Sequence, residues 1–318
     1  YLPNDPELER IRQNYSRRAS FRTDPPRADV YIRDYLDAGD DVPWEHLGRT
    51  PLEATVIPTG QLRYKITKPG LNTVEGSIGT PATTWQQVLT VKLDPEGTGP
   101  AGMVRVPAQE PIEEFWLDKY EVTNRQFKEF VVQGGYQKRD YWRHSFAKDG
   151  RIVAWEQAVD ELKDATGRPG PATWEFGTFP EGRDDYPVGG VSWYEATAFC
   201  EFAGKSLPTI HHWQAAAGLR GRYASILQLS NFDGQGPVCV GIYRGLGPYG
   251  TYDTAGNVRE WCWNAFGAKR YILGGAWSDP KYMCYQPDLR LPFDRSATNG
   301  FRCAKYAHPP PQELISPI

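Results

Sequence analysis

The stretch Gly274–Cys303, GGAWSDPKYMCYQPDLRLPFDRSATNGFRC, sets the strongest limit on the fold. It opens on a glycine pair and an aromatic residue and closes on Asn299-Gly300-Phe301-Arg302-Cys303. Between these ends neither a helical nor a two-residue apolar period is sustained. A backbone of that length without its own ladder needs its polar groups satisfied from outside. It is therefore expected to be displayed on a scaffold built elsewhere in the chain. Its Tyr, Arg, Asp and Trp side chains are the types that binding surfaces favour.

The chain's 318 residues suit two domains. Gly 32, Pro 27, Trp 11 and Tyr 18 describe many turns and many large aromatics, as in loop-rich β or α+β proteins. A net charge of -3 makes no electrostatic case for nucleic acid or an acidic membrane. Nothing has the length and apolarity of a membrane span, or the pattern of a signal peptide. The start Tyr1-Leu2-Pro3 lacks an initiator Met, so an excised or processed piece of a longer protein is expected. The five cysteines, Cys200, Cys239, Cys262, Cys284 and Cys303, contain no CxxC, which argues against a zinc ribbon or thioredoxin-like motif.

Residues 1–18 are polar and read as a linker or stalk helix, with Asn4 or Asp5 as its cap and Pro6 at its first position. Residues 19–97 read as a small β-sandwich: turns at Asp24-Pro25-Pro26 and Lys68-Pro69-Gly70 separate short strands such as 28–33 and 62–67. The Gly- and Pro-rich run 94–100 marks a domain boundary, and 98–318 is the second domain. There, Thr123-x-x-Gln126 and Ser192-x-x-Glu195 are capping boxes opening two helices, and Thr209 caps a third. The aromatic, irregular residues 136–186 read as an excursion with a surface function or a lid. Gly245-Leu246-Gly247-Pro248-Tyr249-Gly250 matches a dinucleotide fingerprint only in its letters, because Pro248 and Thr251-Tyr252-Asp253 open no helix.

EFWLDKYEVTNRQFKEFV, YPVGGVSWYEATAFCEFAGKSLPT, GTYDTAGNVREW, ILGGAW and NGFRCA occur in this order across residues 102–306. In that order the chain resembles formylglycine-generating-enzyme-like (sulfatase-modifying-factor) domains. The earlier series TDPP-x-A-x-VYI, GRTPL, PTG and KPG resembles a PEGA domain, although Pro25-Pro26-Arg27-Ala28 departs from the name-giving tetrapeptide. The resemblance implies an α+β chain, a PEGA-like β-sandwich followed by a loop-rich, C-type-lectin-like fold. It also implies the extracytoplasmic part of a bacterial membrane Ser/Thr protein kinase, tethered through a segment upstream of Tyr1.

The family's oxidases turn a peptide Cys into formylglycine with two copper-binding Cys five residues apart and a nearby Ser. A thiolate pair is what Cu(I) needs. Aligned on GGAW, Cys284 takes the second Cys position, Asp279 the first and Ala276 the Ser position. The expected function is thus a non-catalytic binding or sensory module without copper, with Cys284 as its one catalytic candidate. Its ligand, a protein, peptide or small molecule, is expected at Trp277, Asp279, Lys281, Tyr282, Tyr285, Asp288, Arg290, Arg295 and Asn299. The alternatives are an enzyme of the same superfamily with protein-Cys oxidation or divergent chemistry, and a lectin-fold variable ligand-binding protein. The resemblance also implies structural Ca²⁺ at Asp253, Gly256, Val258 and Glu260, with part of a second site at Asn231 and Phe232. Finally it implies a Cys200–Cys303 disulfide, which would close a loop worth about 4–5 kcal/mol in the chain-entropy model and indicate an oxidising compartment.

Overall fold

A computed structural model describes Arg10 and residues 14–79, 86–148, 150–219 and 223–316. The chain divides into two compact units, Tyr1–Ala101 with Pro248–Gly250, and Gly102–Gly247 with Thr251–Ile318.

Among its described residues the first unit holds seven strands: β1 (Ser16–Asp24), β2 (Asp29–Asp34), β3 (Glu45–Arg49), β4 (Leu52–Pro58), β5 (Leu62–Thr67), β6 (Val74–Ile78) and β7 (Gln86–Lys92). They form two sheets, β4-β1-β7 and β3-β2-β5-β6, with β1 antiparallel to β4 and parallel to β7. Phe21, Ile57 and Val91 of one sheet share a core with Val30, Ile32, Tyr64 and Ile66 of the other. The long link 34–44 is pinned by Tyr35, which is buried and whose carbonyl accepts from Arg63 Nε at 2.8 Å. Most of the expected stalk helix lies outside the described residues. Its last part is corrected: β1 already begins at Ser16, because Arg17 to Ala19 pair with Ile57 to Thr55.

The second unit contains β8 (Met103–Val106), β9 (Phe115–Asp118), α1 (Asn124–Val132), β10 (Phe146–Lys148), β11 (Arg151–Val153), α2 (Trp155–Asp160), α3 (Trp193–Phe202), α4 (Ile210–Ala217), α5 (Tyr223–Ile226), β12 (Arg259–Phe266), β13 (Lys269–Leu273), β14 (Asp288–Arg290), β15 (Asn299–Gly300), β16 (Ala304–Tyr306) and α6 (Gln312–Ile315). Sheets β14-β13-β12-β15 and β16-β9-β8 and the hairpin β10-β11 organise it. Both capping boxes close as expected, Thr123 with Gln126 at α1 and Ser192 with Glu195 at α3. Helix α3 is buried from Trp193 to Cys200, a helix that is apolar nearly all round because the domain is built around it. Phe127 of α1 stacks on Phe199 of α3, ring centroids 5.6 Å apart.

The excursion 136–186 differs from expectation. Trp142, Phe146 and Trp174 point into the same core as α1 and α3, and Trp174 Nε1 donates to Asn124 Oδ1 at 3.0 Å. Large aromatics recover more free energy buried than displayed, so this segment is a wall of the core and not a lid. Among the described residues no helix is long and apolar enough to cross a membrane.

Candidate functional site

The stretch after β13 is held from both ends. Gly274 and Gly275 sit at φ +91° and +71°, and a Cβ on Gly275 would lie 2.9 Å from the Phe232 ring, so the turn needs glycine there. At the far end Arg302 is fully buried. Its Nε and Nη2 donate to the two oxygens of Glu260 at 2.6 and 2.7 Å. Nη1 reaches the carbonyls of Asp118 and Lys119, and Nη2 that of Tyr252. All the guanidinium donors are engaged, as burial of an arginine requires.

The residues aligned with the oxidase positions are locked into structure. Ala276 is buried, and its N–H donates to Asp279 Oδ2 at 2.8 Å. Asp279 Oδ1 accepts from Arg259 Nη2 at 2.6 Å, with both side chains nearly buried. Arg259 Nη1 in turn donates to Thr298 Oγ1 at 3.0 Å. Cys284 lies on a single 3₁₀ segment, Lys281–Tyr285, and is buried. Burial pushes its thiol up to about 11, so it stays protonated and a poor nucleophile or metal ligand at neutral pH.

The expected ligand-binding residues do not form one exposed surface. Lys281, Tyr282 and Tyr285 are exposed. Asp288 and Arg290 pair with each other at 2.8 Å. Trp277 is half-buried, its Nε1 without a hydrogen-bond partner. Three are corrections to the displayed-surface reading, because buried polar groups take partners inside the protein. Asp279 is used as above. Arg295 grips the fully buried Glu195 with Nε and Nη2, both at 2.9 Å. Asn299 is buried, its Nδ2 donating to Asp294 Oδ1 at 3.0 Å while its Oδ1 has no partner.

A second cluster lies under Asp253–Glu260. Glu121, Asp253 and Glu260 are buried together with Arg302. Glu121 accepts from Val258 N at 3.0 Å and Asn257 Nδ2 at 2.7 Å. Its carboxyl is pushed well up by burial and by the negative charges of Asp253 and Glu260. Asp253 accepts from Gly241 N at 2.5 Å and is raised to about 6, chiefly by burial. As these side chains stand they do not fit calcium. The ion takes carboxylate and carbonyl oxygens that converge and are free, whereas both Glu260 oxygens are taken by Arg302, and Oε2 also by Trp213 Nε1 at 2.6 Å. Among the described residues no three His, Cys, Asp or Glu side chains are grouped to hold a metal ion. At the second expected site, Asn231 Nδ2 is spent on Gly236 O and Asn257 Oδ1, and Phe232 packs beneath Gly275.

The cysteines of α3 and the closing segment do come together: the Cys200 and Cys303 sulfurs lie 3.1 Å apart as thiols, both buried. Sequence reading missed Glu121 and Arg302 as charged core residues. Their presence in KYEVTN and NGFRC, flanked by apolar and aromatic positions, was the available signal.

Together these features define a loop-rich mixed α/β scaffold whose irregular stretch is fastened by buried ion pairs. The chain belongs to the sulfatase-modifying factor enzyme 1-like domain family, whose model matches residues 54–307 and so begins within β4 of the first unit. It is 29% identical over 274 residues to the formylglycine-generating enzyme of Bos taurus, covering 67% of this chain and 70% of that one. It is 30% identical over 267 residues to the inactive C-alpha-formylglycine-generating enzyme 2 of Bos taurus, covering 69% and 85%. It is 31% identical over 221 residues to the serine/threonine-protein kinase pkn1 of Chlamydia pneumoniae, covering 60% of this chain but 33% of the kinase.

Proposed function

We propose that this chain is a non-catalytic binding or sensory module: a PEGA-like β-sandwich spacer carrying a formylglycine-enzyme-like domain of lectin-type fold. One observation carries the reading. Where the oxidase pattern places a Ser and a Cys, this chain has the buried Ala276 and an Asp279 committed to Arg259 and to the backbone. The remaining thiol, Cys284, cannot by itself supply two thiolates for copper. The similarity to an inactive relative and to a kinase of which this chain matches one part supports a module within a larger signalling protein. In this reading the protein works outside the cytoplasm, where Cys200 and Cys303 oxidise to a disulfide. It recognises a protein, peptide or small molecule through Lys281, Tyr282 and Tyr285, and Arg302 neutralises the Asp253–Glu260 loop in place of calcium.

The test is turnover. A Cys-containing peptide incubated with the protein, Cu(I) and oxygen, then reduced, is expected to show no formylglycine by mass spectrometry. Formylglycine in that peptide, absent from a protein-free control, overturns the reading.

A further inference from the structure

Away from the 274–303 stretch, the second unit carries a half-open cavity of about 360 Å³ whose lining includes Lys205, Ser206, Trp263, Lys305, Tyr306 and Ile315. We propose that it is a binding site for a small monoanionic carboxylate with an apolar, preferably aromatic, body.

The walls are already built. The Trp263 backbone is fixed by its N–H to Pro208 O at 2.9 Å and by Arg270 Nη1 to its carbonyl at 2.9 Å. The Tyr306 ring packs edge-on to His212 at 4.7 Å, and its hydroxyl accepts from Thr209 N at 3.3 Å. On the opposite side, α6 is held by the buried Asn264, whose Nδ2 donates to Leu314 O at 2.8 Å and Ser316 O at 3.1 Å. The volume lies within the range of small-ligand sites, and a preformed wall leaves little ordering cost to binding.

Its chemistry selects the ligand. The lining carries Lys205, Lys305 and His308 and no carboxylate. Lys205 is neutralised by Asp118, Nζ to Oδ1 2.5 Å, and His308 stands 3.7 Å from Glu113. Lys305 Nζ has no hydrogen bond or ion pair among the described residues, nor have the neutral donors Trp263 Nε1 and Ser206 Oγ. Lys305, exposed at the edge of the lining, is the cation there without a partner among the described residues, and one such charge matches a single negative charge better than a dianionic phosphate. Trp263, whose ring also packs on His144 at 5.1 Å, lines the cavity with Tyr306, Ile315 and the Pro309-Pro310 rim, and these supply the surface for the body.

Calorimetric titration with 3-phenylpropionate, 3-phenylpropanol and 3-phenylpropylamine holds the body constant and varies the charge. The acid is expected to bind about tenfold or more tightly than the alcohol, and the amine not to bind. Lys305→Glu, at an exposed position, is expected to weaken the acid by about tenfold or more, with Trp263→Ala a second probe of the body. Val132→Ala, at an exposed position on α1 away from the cavity, is expected to leave it unchanged. Equal binding of acid and amine, no effect of Lys305→Glu, or no binding of the acid at millimolar concentration overturns the proposal.

Discussion

Asp253 and its neighbours show how much a single buried residue decides. Burial raises its carboxyl to about 6 from an ordinary 3.8, while the Gly241 N–H and Arg302 pull the other way and Glu260 adds to the rise. The folded protein therefore holds this proton more tightly than the unfolded chain does. The stability linked to it is fully present below about pH 4 and is lost as the pH rises to 6 and beyond. Asp253→Asn keeps an acceptor for Gly241 N and suits the left-handed φ of 56° at this position. The variant is expected to melt higher than the native protein at pH 8, with the gap narrowing below pH 6 and closing by about pH 4. A lower midpoint for Asp253→Asn in calcium-containing buffer at pH 8 would instead show that the carboxylate serves a metal.

At the scale of elements, helix starts were legible because caps are local. Thr123 with Gln126 and Ser192 with Glu195 lie three residues apart, and the helices begin where those pairs place them. The second role of Glu195 was not legible. Its carboxylate accepts from Ser192 N, from Tyr136 Oη at 2.6 Å and from Arg295 across a separation of 100 residues. No local pattern announces such a partner. Ser192→Ala removes one cap bond and is expected to cost about 1 kcal/mol. Glu195→Ala leaves Arg295 unpaired and largely buried and is expected to cost about 3–5 kcal/mol. Urea denaturation of the two variants checks the ordering; equal losses would mean that the ion pair adds nothing beyond the cap.

For the whole molecule, the cysteine pair links architecture to environment. α3 and the segment after β15 meet through Cys200 and Cys303, 3.1 Å apart, with Lys205 and Asp118 alongside. In protein prepared from an oxidising compartment, two of the five thiols are expected to escape titration after denaturation without reductant. Titration of all five would remove the main support for an extracytoplasmic setting. The glycine turns, the helix caps, the strands at 28–33 and 62–67 and the ordered motifs of the family were legible from the chain alone, since each rests on residues close in the chain. It took the packing of distant segments to show Asp279, Arg295 and Asn299 bonded inside the protein and Trp142, Phe146 and Trp174 in the core. That packing also placed Arg302 as the counter-ion of Glu260. These outcomes depend on which distant groups share a low-dielectric interior, where an ionised side chain is stable only beside its partner.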